Sequence, residues 1–253
     1  MTKLVAVSKE RHGNSFWKRP DSYAFAASQH MAPILVAEVF RAALAMPLAF
    51  IQKGQNYLLV GLLSLSSGKN FLVAPNGKWV GDHIPLVFRS YPFRLARADG
   101  RDEMILCVDE DSNLLNKKKS GGEPFFDDSG KMSNQLQEVA NFLNLMEKSR
   151  KVADVAVGEL AKAGLIKPWT LKIGDEKIEG LHRIDQEMLQ QVEDGIFLNL
   201  RKTGALIVAY GQLLSMGNIR LLQKLAMLRG KLSPEPKPAV LASNDGEFIR
   251  FVE

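Results

Sequence analysis

A regular pattern of apolar residues between Ser133 and Ala163 constrains the fold more than any other feature of the sequence. Leucine, valine, alanine and methionine recur there at intervals of three and four residues, which is the period of one helix face. Ser133 is a favoured N-cap residue, and Gly164 and Pro168 follow where such a helix would end. The pattern predicts one long amphipathic helix, whose apolar face must cover a core built by other parts of the chain.

The residues before this helix are predicted to form mainly short strands. The apolar segments of strand length are residues 2–8, 48–51, 57–65, 92–97 and 103–109. Asn76-Gly77 between two further apolar segments indicates a hairpin over residues 70–80. Only one helix is predicted among these strands, and it ends before Pro47. Because parallel strands need crossover helices, we expect an antiparallel sheet or a partly open barrel.

The residues after the long helix are predicted to be mostly helical. A hairpin is expected near residues 170–181, where Gly174-Asp175 separates two β-prone segments. Asp185 can cap a short helix, and longer helices are expected over residues 194–215 and 219–229. The chain is therefore predicted to be α+β, with an antiparallel β-rich N-terminal half and a mostly helical C-terminal half.

The predicted domain organisation follows this change in pattern. Residues 1–130 form the β-rich part, and residues 131–231 form the mainly helical part with its hairpin. Residues 232–253 are a proline-rich linker and tail, because Ser233-Pro-Glu-Pro-Lys-Pro238 favours an extended backbone. The length of residues 1–231 is also compatible with one compact domain.

Composition excludes several classes of protein. Cys107 is the only cysteine, so an intrachain disulfide and a cysteine-rich zinc site are ruled out, and Cys107 is expected to be a small buried apolar residue. The first ten residues lack an apolar stretch of signal-peptide length. Charged residues such as Glu38 and Arg41 interrupt the apolar stretch 31–51, which argues against a membrane span. We expect a cytoplasmic protein without a cofactor.

The segment from Gly77 to Phe93 combines aromatic residues, prolines, a histidine and an arginine, and is the best candidate for a binding site. A small polar cleft would form if residues 11 and 12 folded against it. The candidate binding residues are Arg11, His12, Trp79, Asp82, His83, Arg89 and Tyr91. No catalytic residue or metal ligand is assigned, because the four histidines lack zinc-site spacing and no nucleophile or phosphate-loop motif occurs.

Two clusters of charge have alternative interpretations. Asp109-Glu-Asp111 lacks the spacing of a calcium loop and is expected to be a solvated strand end. Residues 201–231 contain six basic residues and no acidic residue. A basic helix face can bind phosphates, although solubilising charges on the outer side of packed helices would give the same pattern.

Seven short motifs, in this order and spacing, resemble the SapC family of bacterial proteins. They are Lys9-Glu-Arg-His-Gly13, Tyr23-Ala-Phe-Ala26, Gly77-Lys-Trp-Val-Gly81, Arg89-Ser-Tyr-Pro-Phe93, Cys107-Val-Asp-Glu110, Phe126-Asp-Asp-Ser-Gly130 and Leu213-Leu-Ser-Met-Gly-Asn-Ile219. The resemblance spans residues 3–229. It implies an association in name with bacterial surface layers, and genes near those of TonB-dependent receptors, cupin-like proteins and flavin-dependent halogenases. It supplies no catalytic residues.

Three functional hypotheses follow. The first is a non-enzymatic accessory or binding protein that holds a peptide, a small ligand or a protein partner. The second is an enzyme or enzyme subunit with a polar pocket around His12, His83 and Arg89. The third is an anion or nucleic-acid binder that uses the C-terminal basic helices, although nucleic acid is the less expected ligand. A homo-oligomer is compatible with each hypothesis.

Overall fold

Antiparallel sheets in the N-terminal half and helices in the C-terminal half make up the structure, a computed structural model that describes residues 3–97, 104–117, 121–173 and 176–230. The predicted α+β class is confirmed, and the described strands form no closed barrel. Within the described residues the chain divides into two units. Unit one contains residues 3–21 and 88–147, and unit two contains residues 22–87 and 148–230.

The described strands and helices alternate in blocks along the chain. The strands are β1 Leu4–Ala6, β2 Phe16–Trp17, β3 Met31–Pro33, β4 Leu48–Lys53, β5 Asn56–Leu62, β6 Phe93–Arg97, β7 Met104–Asp109, β8 Leu115–Asn116, β9 Glu123–Pro124, β10 Ile166–Ile173 and β11 Glu176–Ile184. The α-helices are α1 Lys9–His12, α2 Val39–Ala45, α3 Leu86–Arg89, α4 Asn134–Lys162, α5 Gln186–Gln191, α6 Asp194–Lys202, α7 Ala205–Ser215 and α8 Ile219–Gly230. Single 3-10 turns cover Ala24–Ala26, Val36–Glu38, Glu110–Ser112 and Met216–Asn218.

Unit one is built on two small antiparallel sheets, with strand orders β1-β7-β6 and β8-β2-β9. Its core is aromatic. The ring of Trp17 meets that of Phe93 edge-on at 4.8 Å, and Phe93 meets Phe125 at 5.8 Å. All three side chains are almost fully buried. Cys107 is buried in β7 as expected, and burial raises the pKa of its thiol.

Unit two is built on a five-stranded antiparallel sheet with the order β10-β11-β4-β5-β3. The hairpin expected near residues 170–181 is present as β10 and β11. Apolar residues of the sheet and of α8 form one cluster, which includes Val60, Trp169, Leu181 and Leu222. The sheet of unit two therefore buries its apolar residues against the C-terminal helices.

Two polar side chains fasten α7 to this sheet. Gln212 Oε1 accepts a hydrogen bond from the N–H of Ile184 at 2.9 Å, and its Nε2 donates to the carbonyl of Leu48 at 3.1 Å. Ser215 Oγ accepts from the N–H of Leu48 at 2.8 Å. Both side chains are completely buried. Because buried polar groups are costly unless paired, these bonds fix the position of α7 on β4 and β11.

The long helix α4 matches the predicted one to within a residue at each end. Ser133 Oγ accepts from the N–H of Leu136, which is the expected N-cap bond. After the helix, the N–H of Leu165 donates to the carbonyl of Leu160, as in a Schellman end. The predicted apolar residues Leu136, Leu143 and Leu160 are buried.

The structure differs from the local predictions at two places. Residues 9–12 form the short helix α1, where the sequence predicts no helix, and Ser8 caps it by accepting the N–H of Arg11. The helix predicted over residues 194–215 is divided into α6 and α7 at Gly204, whose φ of 75° lies in the left-handed region. The hairpin expected over residues 70–80 is present in short form, with an antiparallel bridge between Val73 and Trp79, and with the N–H groups of Ala74 and Val80 donating to the carbonyls of Lys78 and Leu72.

One described helical stretch, Ala205–Arg229, is long and apolar enough to cross a membrane by length and composition alone. About 39% of its most apolar window is buried inside the protein. The core helices of soluble proteins meet the same criteria, so this stretch assigns no membrane role by itself.

Candidate functional site

Glu38 and His83 form a buried polar pair in unit two. Glu38 directly precedes α2, and its Oε1 accepts a hydrogen bond from the N–H of Leu35 at 3.1 Å. Its Oε2 lies 2.7 Å from Nε2 of His83 and accepts from the N–H of Leu86 at 2.9 Å. Only 2% of Glu38 and 5% of His83 is exposed. The pair therefore joins the segment that carries His83 to the start of α2, and neither side chain is open to solvent.

Trp79 belongs to a cluster of aromatic side chains in unit two, which we call the aromatic cluster and define as Tyr23, Phe25 and Trp79. The ring centroid of Tyr23 lies 5.7 Å from that of Trp79 and 5.9 Å from that of Phe25. All three side chains are half-buried. The cluster therefore combines apolar contact area with partial exposure, which suits a binding surface.

A tight turn holds Trp79 in this position. Gly77 has a φ of +79°, and its carbonyl accepts from the N–H of Tyr23 at 2.7 Å. A Cβ at Gly77 would lie 2.0 Å from Oγ of Ser22. The turn thus needs glycine both for its backbone conformation and for its close packing against the segment that carries Tyr23.

Arg11, Asp82 and Arg89 are the exposed members of the predicted set. Asp82 is exposed although the adjacent His83 is buried, so these neighbours occupy different environments, as expected for consecutive residues of an extended segment. Arg89 is the last residue of α3 and belongs to unit one.

In unit one, Glu110 is surrounded by basic side chains. Its two carboxylate oxygens accept hydrogen bonds from Arg11, at 2.5 Å from Nε and at 2.7 Å from the terminal nitrogen. Lys3 Nζ lies 3.2 Å from Oε2. These partners, Arg11 first, lower the pKa of Glu110 from 4.5 to about 2. The same hydrogen bond raises the pKa of Arg11. Glu110 therefore stays ionised at physiological pH.

His12 lies beside this ion pair but is buried. Its Nδ1 accepts the N–H of Ser8 at 3.2 Å, which places the proton of the neutral ring on Nε2. Nε2 is 3.4 Å from Oε1 of Glu110 without hydrogen-bond geometry. The ring stacks on Phe125 at 5.0 Å. His12 thus fixes the end of α1 to the aromatic core of unit one.

Tyr91 contacts the residue next to Glu110. Its hydroxyl donates to Oδ2 of Asp109 at 3.3 Å, and Oδ1 of Asp109 accepts from the N–H of Asp111. Burial, followed by the Asp109 charge, raises the pKa of Tyr91 to about 12. Burial also lowers the pKa of Arg94, against the opposing effect of Asp109. The phenol is therefore protonated at neutral pH and serves as a hydrogen-bond donor.

Three of the predicted residues of unit one thus meet at two consecutive acids. Arg11 and His12 lie at Glu110, and Tyr91 lies at Asp109. The expectation that Asp109-Glu-Asp111 is a solvated strand end is wrong for Asp109, which is only 4% exposed. The apolar residues before Asp109, Val108 and Cys107, do not indicate that Asp109 has a polar partner. Its hydrogen bond with Tyr91 depends on a side chain that is distant in the sequence.

In unit two, the sequence did not single out Glu38 as the partner of His83. The one sequence feature that could have indicated this role of Glu38 is its position as a charged residue in the otherwise apolar stretch of residues 31–51. A charge in such a stretch indicates either an exposed helix position or a buried acid with a partner, and only the fold identifies the second.

No group of three or more histidine, cysteine, aspartate or glutamate side chains that could hold a metal ion occurs among the described residues. The acids of the site instead bind basic side chains and backbone N–H groups of their own unit.

Comparison with known proteins gives one result. The family model SapC matches residues 7–222, which is most of the chain. No curated protein and no solved structure matches it. The matched range covers the candidate residues in both units, and the chain belongs to the SapC family.

Proposed function

We propose that this SapC-family protein is a non-enzymatic accessory or binding protein, and that the aromatic cluster of unit two contacts an apolar peptide segment of a protein partner. The observation that carries the proposal is the partial exposure of three neighbouring aromatic rings held by a tight turn.

Aromatic side chains are well suited to this role. They offer a large contact area while losing little conformational entropy, and tryptophan and tyrosine dominate the binding energy of many interfaces. Val80 follows Trp79 and is 54% exposed, which extends the apolar surface beside the rings. The bonds of Gly77 and Ala74 in the adjoining turn hold the cluster in a preformed shape, so binding needs little further ordering.

The polar candidates favour binding over catalysis. Glu110 is held ionised by Arg11 and Lys3, and its lowered pKa does not suit proton transfer near neutral pH. Glu38 and His83 are buried, and the carboxylate of Glu38 is occupied by three contacts. Glu110 with Arg11 has the arrangement of a structural ion pair, and Glu38 with His83 has that of a buried hydrogen-bonded pair. The enzyme hypothesis around His12, His83 and Arg89 stays a prediction.

The proposal includes a cytoplasmic location in a bacterial cell, as an accessory protein and not as a surface-layer subunit. The family match supports the accessory role, and the location is a prediction of its own. Fractionation of cells that produce the untagged chain, followed by immunoblotting, would test it. Recovery from the outer surface would contradict it.

A peptide-binding measurement tests the function. A panel of fluorescein-labelled peptides rich in proline and aromatic residues is titrated with the full chain, beside scrambled polar peptides, and anisotropy is recorded. The Trp79→Ala variant should bind the selected peptide roughly 30-fold more weakly, since loss of a central aromatic side chain costs about 2 kcal/mol or more. The Trp79→Phe variant should retain most of the affinity.

Tyr210→Ala provides the matched control, because Tyr210 is an aromatic residue of the same unit that is 50% exposed and lies outside the aromatic cluster. Circular dichroism melts confirm that each variant is folded. The proposal fails if no peptide binds, or if Trp79→Ala and Tyr210→Ala reduce the affinity equally.

A further inference from the structure

Helices α2 and α7 of unit two expose large apolar side chains. Phe40 and Leu44 of α2 are 58% and 72% exposed, and Ile207, Tyr210 and Leu214 of α7 are 37%, 50% and 61% exposed. We call these five residues the α2–α7 face. Apolar residues of this size are normally buried, so a group of them on two neighbouring helices calls for a partner.

The two helices pack closely and run in the same direction. Gly211 of α7 approaches Val39 of α2 so closely that a Cβ there would lie 2.2 Å from a Val39 methyl carbon. Further along α2, the carbonyl of Ala43 accepts a hydrogen bond at 2.7 Å from Nδ2 of Asn218, in the 3-10 turn that follows α7. The contacts pair Val39 with Gly211 and Ala43 with Asn218. Because the residue numbers increase together in the two segments, the helices run in the same direction.

This packing places the exposed residues on one side of the helix pair. Phe40 and Leu44 each lie one position, or about 100°, after the contact residues Val39 and Ala43. On α7, the residues at positions 207, 210 and 214 are rotated about the helix axis by about 40–100° from the contact residue Gly211. This rotation is opposite in sense to the one from the contact residues of α2 to Phe40 and Leu44. In two helices that run the same way, these opposite rotations point to the same side, so the five residues form a continuous surface.

The size of this surface is comparable to that of the largest apolar patch of a typical monomer, which is often functional. The exposed fractions, applied to side chains of roughly 150–250 Å², correspond to on the order of 500 Å² of mainly apolar surface. That value is at the upper end of the range for the largest patch of a typical monomeric protein.

The chain segment that carries α6, α7 and α8 is positively charged. From Gly195 to Gly230 the chain has no acidic residue, and the exposed basic residues there are Arg201, Lys202, Arg220 and Lys224. Arg41 is exposed on α2 between the two apolar residues of that helix. Within the described part of the chain, none of these five side chains forms an ion pair. Their charge is therefore available to an anionic partner.

The other side of α7 is committed to the core. Val208 and Ala209 are fully buried, and the Gln212 and Ser215 bonds to the sheet keep that side attached. Only the outward side of α7 can meet a partner while these bonds persist. A helix in this situation can lie on a surface, but it cannot be surrounded by lipid.

We propose that the α2–α7 face binds the surface of an anionic phospholipid membrane, with the apolar residues entering the headgroup boundary and the basic residues contacting lipid phosphates. Phenylalanine, leucine and tyrosine beside lysine and arginine are the composition of interfacial membrane-binding helices. Nucleic acid would use the charges but leave the apolar side chains without a contact. This inference stands apart from the peptide proposal, because it uses different residues.

Vesicle co-sedimentation tests the inference. The full chain is mixed with vesicles of phosphatidylcholine alone, or of phosphatidylcholine with about 30% phosphatidylglycerol, at low and moderate salt. We expect binding to the anionic vesicles that weakens as salt increases, and little binding to the neutral ones.

The Phe40→Gln/Leu44→Gln double variant should lower the partition coefficient at least about tenfold, because it removes the most exposed part of the face. The matched control is Val152→Gln/Val155→Gln, which replaces two exposed apolar residues of α4 in the same unit and should leave binding unchanged. Arg201→Gln/Lys202→Gln should weaken binding about fivefold per charge. Thermal melts establish that each variant is folded.

Three results would overturn the inference. The first is no binding to anionic vesicles, and the second is equal binding by the Phe40→Gln/Leu44→Gln and control variants. The third is a stable dimer in light scattering that the same double variant dissociates, since a second copy would then cover the face. If the chain binds DNA in gel-shift assays and does not bind anionic vesicles, the inference is also overturned, and the basic residues are then assigned to nucleic-acid binding.

Discussion

Replacement of Glu38 by alanine should destabilise unit two strongly, because it removes an acceptor that three buried groups share. Nε2 of His83 and the N–H groups of Leu35 and Leu86 all contact the Glu38 carboxylate, at 2.7, 3.1 and 2.9 Å. With only 2% of Glu38 and 5% of His83 exposed, water cannot readily replace the lost oxygens.

The expected loss of unfolding free energy follows from the burial of Glu38 and His83. A buried hydrogen-bonding group that loses its partner costs about 1–3 kcal/mol. Because Glu38→Ala leaves His83 Nε2 and two backbone N–H groups without their acceptor, we expect it to lower the free energy of unfolding by about 3–5 kcal/mol, in the lower part of the range for three such losses. For a chain of this size, such a loss lowers Tm by roughly 6–20 °C. Glu38→Gln keeps one oxygen acceptor and should cost less.

Chemical denaturation followed by far-UV circular dichroism gives the free energies of the wild type, Glu38→Ala, His83→Ala and the double variant. The coupling between the two positions should be roughly 0.5–3 kcal/mol, as for residues in one hydrogen-bond network. Glu138→Ala is the control. The Glu138 side chain is 73% exposed and its ion pair with Arg19 measures 3.6 Å, so its loss should change stability by less than about 1 kcal/mol.

The reasoning would be refuted by either of two results. One is a loss below about 1 kcal/mol for Glu38→Ala, which would mean that its buried contacts contribute no more than a single neutral hydrogen bond. The other is strict additivity of Glu38→Ala and His83→Ala, which would mean that the two side chains do not act as a pair.

Three further predictions concern other parts of the chain. Gly211→Ala should destabilise the protein by about 1–3 kcal/mol in denaturation, because the new Cβ would lie 2.2 Å from Val39, although alanine normally favours a helix; an unchanged stability would show that α2 can move away. Because Arg11 and Lys3 lower the pKa of Glu110, its contribution to stability should be complete above about pH 4.5 and be lost as the pH falls towards about 2. Glu110→Gln should therefore reduce the dependence of the unfolding free energy on pH between these two values. Because the pKa of Tyr91 is raised to about 12, its contribution to stability should be present below about pH 10 and be lost as the pH rises towards 12. Tyr91→Phe should remove a phenol that ionises near pH 12 from a spectrophotometric titration.

Local patterns in the sequence were sufficient for most elements of the fold. The apolar period and the Ser133 cap gave α4, and Asp185 gave the start of α5, where its side chain accepts from two N–H groups as expected. Pro47 separated α2 from β4. These features depend on neighbours within a few residues, so their physical causes are visible in the sequence.

The candidate site could be predicted only in part. Arg11, His12, Tyr91 and His83 were selected as polar residues near an aromatic segment, and all four contact acids. The acids themselves were missed, because Glu110 lies 99 residues from Arg11 in the sequence, and Glu38 lies 45 residues from His83. A side chain's partner at such a separation depends on strand pairing and helix packing, which no local pattern specifies.

The sequence by itself determined the α+β class, the strand and helix periods, the helix caps and the family. The tertiary structure decided which polar residues are buried in pairs and which apolar residues stay exposed. Phe40 and Leu44 show the reason, because their spacing of four residues is as compatible with a core as with a surface. The outcome depends on Val39 and Ala43, each one position earlier. Val39 packs against α7 and Ala43 bonds to the turn after it, which leaves the following residues facing solvent.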